Sequence, residues 1–79
     1  MSFAIGEIPV DVVQYAASPN NLSAIIDLLG IDNVEIRNGG VLVCSDHLED
    51  TQYVVVRQDN GILYGIMTPD EFAATVIET

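Results

Sequence analysis

The stretch Val34-Glu35-Ile36-Arg37-Asn38-Gly39-Gly40-Val41-Leu42-Val43-Cys44 decides the fold. Val34 and Ile36 alternate with Glu35 and Arg37, which is the period of a half-buried strand. Asn38-Gly39 then supplies the positive backbone φ that a tight hairpin turn requires. Val41 to Cys44 is the returning strand. A second hairpin reads the same way further along the chain. Gln52 to Gln58 is rich in β-formers through Tyr53-Val54-Val55-Val56, Asp59-Asn60-Gly61 turns, and Ile62 to Met67 returns. The intervening segment Ser45-Asp46-His47-Leu48-Glu49-Asp50-Thr51 is polar and acidic and reads as a connector.

Upstream of the hairpins the period is helical. Leu22, Ile25, Ile26 and Leu29 recur at i, i+3, i+4, i+7 and form one apolar face. Ser18 and Pro19 suit a capping position and the first helical turn, and Gly30 suits the end, so a helix is expected from about Pro19 to Leu29. Val10 to Ala17 is harder to place. Valine favours strands, yet Val10, Val13 and Ala17 share a helical stripe and Pro9 fits a first turn, so this segment is read as helix. Phe3 to Ile8 is a short strand or an irregular arm. Downstream, Thr68-Pro69-Asp70-Glu71 combines a cap, a proline at the first helical position and a capping-box glutamate. The helix it opens has Phe72, Ala73, Val76 and Ile77 on its apolar side.

The expected fold is therefore α+β, one domain over residues 1–79, in the order ααββββα. Two successive hairpins give a four-stranded antiparallel sheet, with the helices packed on one face because a bare sheet is too thin to be stable. The expected core includes Leu22, Ile25, Ile26, Leu29, Ile36, Val43, Val55 and Phe72.

Charge is the dominant functional signal. Twelve acidic residues face two arginines, Arg37 and Arg57, with no lysine, giving a net charge of −10 on 79 residues. Self-repulsion of that size opposes a compact state, which points to a use for the charge. Half the residues are apolar, so the chain is not intrinsically disordered. The near-absence of cations excludes direct nucleic-acid binding, and anionic lipid surfaces repel such a chain. No apolar run is long enough to span a membrane, and the N-terminus lacks the pattern of a secretion signal. A cytoplasmic location, within a host cell, is the expectation.

No catalytic residue, metal site or cofactor is assigned. Asp46, His47, Glu49 and Asp50 crowd the connector, but their spacing matches neither an EF-hand loop nor a zinc motif. Cys44 ends an apolar run, where the usual reading is a small buried hydrophobe, and the chain has almost no positive charge to offer a nucleophilic thiol. The aromatics Phe3, Tyr15, Tyr53, Tyr64 and Phe72 read as packing residues.

The acidic set is the candidate binding site. In a four-stranded meander the connector lies at the same end of the sheet as the start of the first strand. Asp32, Glu35, Asp46, Glu49 and Asp50 are then expected to gather there as partner-binding residues. In size, acidity and lack of lysine the chain resembles small phage-encoded inhibitors of host defence, such as anti-CRISPR and anti-restriction proteins. That resemblance implies a non-enzymatic inhibitor, of a class in which some members are DNA mimics, whose partner is a basic protein surface of a nuclease or CRISPR effector complex. The alternative is a structural or assembly protein acting through an apolar homo-oligomeric interface. The apolar surplus of so short a chain favours a homodimer in either case.

Overall fold

Val54, Val55 and Val56 are buried on both sides, with at most 2 % of their surface exposed. They form the middle of a strand that is covered on two faces, and the rest of the fold is arranged around it. The structure, a computed structural model, describes residues 2–16, 21–38 and 40–78. In chain order the elements are β1 (Phe3–Ile5), β2 (Ile8–Gln14), α1 (Leu22–Leu29), a 3-10 turn (Ile31–Asn33), β3 (Val34–Arg37) and β4 (Gly40–Val43). There follow β5 (Asp46–Leu48), β6 (Tyr53–Arg57), β7 (Leu63–Met67), α2 (Pro69–Thr75) and β8 (Ile77–Glu78).

The α+β class holds, but the expected single four-stranded sheet does not. The strands form a five-stranded sheet in the order β7-β6-β2-β1-β8 and a three-stranded sheet in the order β3-β4-β5. Each hairpin read from the sequence is present, but the two belong to different sheets. The order ααββββα fails for a related reason: the segment read as a first helix is strand β2. Val12 lies opposite Val55 and Val13 opposite Val54, so β-branched side chains pack on both faces of a central pairing. The helical stripe of Val10 and Val13 loses to that pairing, and Pro9 sits opposite Ala4 in the strand instead of starting a helix. Ala17, Ser18 and Pro19, which carried the helix ends expected there, lie outside the described residues.

Helices cover both faces of the large sheet, not one. On one face α1 and the three-stranded sheet enclose Tyr15, Ile25, Leu29, Val41, Val43, Leu48, Val54 and Val56. On the other, Val10, Val55, Met67 and Val76 pack with Phe3, Tyr53 and Phe72. Each buried Val or Ile contributes about 1.5–3 kcal/mol relative to exposure. The expected core is otherwise present, with Leu22, Ile26 and Phe72 half-buried, except for Ile36, which is 67 % exposed. Ile36 shares the register of Val41 and Leu48 on the inner face, but β3 is an edge strand and no strand lies beyond it among the described residues.

Local chemistry explains the helix ends. The Thr68 hydroxyl accepts from Glu71 N at 3.2 Å while Glu71 Oε1 accepts from Thr68 N at 3.1 Å, completing the expected capping box. The helix stops at Thr75, so Val76 caps it and Ile77 enters β8 against Ala4. Helix α1 starts at Leu22 after Asn21, whose side chain serves the preceding strand end. Its Oδ1 accepts from Ala16 N at 2.8 Å and its Nδ2 donates to Gln14 O at 2.7 Å. Gly30 closes α1 at φ 88° and ψ 148°, a region open essentially to glycine alone.

Candidate protein-binding surface

The outer face of the three-stranded sheet is built by register. Glu35, Leu42 and His47 lie side by side across β3, β4 and β5. Leu42 is 9 % exposed even though it lies on the solvent side of the sheet. With Glu35, Arg37, Asn38, Gly40, Ser45 and His47 it lines an open groove of about 470 Å³. Arg37 and Glu35, two residues apart on one strand, share a face, and Arg37 Nη2 donates to Glu35 Oε1 at 2.6 Å. The groove is thus mainly polar, with Leu42 as its one large apolar side chain among the described residues and both signs of charge in its lining. Ser45 and His47 line this groove beside Glu35. Leu42 was hidden in the apolar run Val41–Cys44. Only the β3–β4–β5 register shows that it faces outward.

The segment expected to be a connector contains a strand, and this redistributes the acidic residues. Asp46 pairs with Val43, which pairs with Val34, so Asp46 lies at the same sheet end as Asp32. Glu35 is one step into the sheet from that end. Strand β5 then carries the chain back, and Glu49 and Asp50 emerge at the opposite end, where Gln52 N donates to Glu49 O and Thr51 N to Tyr15 O. Asp32 and Asp46 share one sheet end, Glu35 lies near it on the other face of the sheet from Asp46, and Glu49 and Asp50 are not with them. The single five-carboxylate end of the four-stranded meander is therefore corrected to two separate acidic ends. All five residues are exposed.

The turn that makes β5 is unusual. Cys44 and Ser45 form its two-residue loop at φ 50° and φ 72°, although neither is Gly or Asn. That geometry turns Cys44 out of the strand, so it is exposed and not a buried hydrophobe as expected. It borders a second, smaller groove with Leu29, Asn33, Gly61, Ile62 and Leu63, which contains no base or cation.

Every one of the twelve carboxylates is exposed, and among the described residues no polar or charged residue is buried. Both cations are held by carboxylates. Arg37 is bound to Glu35, and Arg57 binds Asp59 through Nε at 3.0 Å and Nη2 at 2.6 Å. The hydrogen bond from Arg57, with its charge as a smaller cause, holds the Asp59 carboxyl below the usual carboxylate range. These two ion pairs involve Glu35 and Asp59, two of the twelve exposed carboxylates. No group of three or more His, Cys, Asp or Glu residues is placed to hold a metal ion among the described residues. Among them, too, no helix is long and apolar enough to cross a membrane. No family model, curated protein or solved structure matches the chain.

Proposed function

We propose that this protein is a non-enzymatic binding protein that engages a basic, nucleic-acid-binding surface of a partner. The most fitting partner is the channel of a host defence nuclease or CRISPR effector complex. One observation carries this reading: all twelve carboxylates are exposed, while both arginines are tied to neighbouring carboxylates. Such a surface steers towards Lys- and Arg-rich grooves and offers acceptors for charge-assisted hydrogen bonds. The acidic end formed by Asp32, Glu35 and Asp46 is the leading contact, with Glu49 and Asp50 as a second point of contact.

The test is capture on the immobilised chain followed by competition. A nuclease complex retained from host lysate should be displaced by duplex DNA and by rising salt, because the two ligands share one basic groove. Retention that resists both would overturn the reading.

The exposed isoleucines favour a second, compatible property. Ile36, Ile62 and Ile77 are each more than half exposed and lie on or beside edge strands of the two sheets. Such positions suit assembly through strand edges.

A further inference from the structure

Strand β3 is hydrogen-bonded to β4 on one side and has no strand on the other among the described residues. The direction of its free backbone groups follows from the hairpin. In an antiparallel pair, residues alternate between bonded and non-bonded positions. Arg37 lies opposite Gly40 at the close of the hairpin as a bonded pair, and Glu35 with Leu42 is the next. Asn33 O accepting from Cys44 N at 2.9 Å continues the same phase. The N–H and C=O groups of Ile36 therefore point outward from the free edge, as does the Val34 C=O, while the Val34 N–H donates to Ile31 O. Ile36 is also the most exposed large apolar side chain in the molecule among the described residues, at 67 %.

We propose that β3 pairs antiparallel with β3 of a second copy of this chain, Ile36 opposite Ile36, to make a continuous six-stranded sheet across a homodimer. This proposal is independent of the basic-surface reading. The charges select the register. With Ile36 opposite Ile36, Glu35 of each copy faces Arg37 of the other at non-bonded positions, where side chains approach most closely. A shift of two residues one way sets Glu35 against Glu35, and the other way sets Arg37 against Arg37. A shift of one residue places inner-face side chains against outer-face ones. The proposed register also turns Ile36 into a bonded pair that uses its outward N–H and C=O and buries its side chain against its own copy. Two chains of net charge −10 repel almost everywhere, and β3 carries one of the two cations. The other edges are less suited. Strand β7 is bulged opposite Val55 and Val56, β5 is flanked by Asp46 and Glu49, and β8 is two residues long and ends in Glu78.

Sedimentation of the full chain tests this, with amide spectra to confirm that each variant keeps its β3–β4 hairpin. The wild-type chain should sediment at twice its 8.5 kDa mass. Arg37→Glu should weaken association by about tenfold or more, because two attractive pairs become two repulsive ones. The double exchange Glu35→Arg with Arg37→Glu should restore it. Ile36→Pro should give a folded monomer, since the N–H it removes points away from β4. A wild-type monomer at every concentration overturns the proposal. So does a dimer indifferent to Arg37→Glu and Ile36→Pro, and failure of the double exchange to restore pairing overturns the register.

Discussion

The ring of Phe72 lies parallel to that of Tyr53, with centroids 3.9 Å apart and planes within 9° of each other. This contact joins α2 to β6 on the face of the large sheet opposite α1. The Phe3 ring closes the cluster edge-on, 5.9 Å from Phe72. Phe72 therefore fixes where the C-terminal helix lies.

Phe72→Ala should cost about 2–4 kcal/mol, combining lost burial with a lost aromatic pair. Urea unfolding followed by circular dichroism measures it. Phe72→Leu should recover part of the loss, as it restores volume but not stacking.

Ile25 is fully buried between α1 and both sheets. Ile25→Ala should destabilise the fold by about 2–5 kcal/mol. The same unfolding experiment checks it, and a loss below about 0.5 kcal/mol would mean that α1 does not seal this core.

The β4–β5 turn holds two L-residues at positive φ, Cys44 at 50° and Ser45 at 72°. Cys44→Asn with Ser45→Gly supplies the residues this turn favours and should stabilise the chain by about 1 kcal/mol. A shift of the unfolding midpoint to higher urea is the expected result.

Asp59 is held below the usual carboxylate range by the Arg57 hydrogen bond. Its folded pKa is lower than its unfolded one. Its contribution is thus present above the unfolded pKa and is lost as pH falls through the folded one. Both groups are exposed, so the effect is small and is best read site by site. A carboxyl NMR titration of Asp59 should move upward in Arg57→Gln.

The separation of the acidic ends divides the functional test. Asp32→Asn with Asp46→Asn should reduce affinity for a captured basic partner by more than about tenfold, chiefly through slower association. Glu49→Gln with Asp50→Asn should act separately, and the two double variants should combine additively because their sites lie at opposite sheet ends. Surface plasmon resonance over a salt series measures both the affinity and its salt slope. Unchanged binding in both variants would remove these four carboxylates from the interface.

Local signals in the sequence determined much of this protein. The two hairpin signals, the Thr68–Glu71 capping box and the Leu22–Leu29 stripe each act within a few residues, and the expected hairpins and helices formed, although Gly39 of the first turn lies outside the described residues. The charge imbalance was equally plain. Tertiary structure decided the rest. Val10 to Gln14 carried both periods, and it became a strand because β6 offered a long pairing partner. Asp46–Leu48 had no glycine or asparagine to announce its turn, yet it pairs with β4 and moves Glu49 and Asp50 away from Asp32. Ile36 alternates as a core residue should, but alternation assigns a face and not a cover, and only the sheet order left its edge open. Periodicity within a segment is local chemistry, whereas strand partners and the distribution of surface charge depend on contacts between segments far apart in the chain.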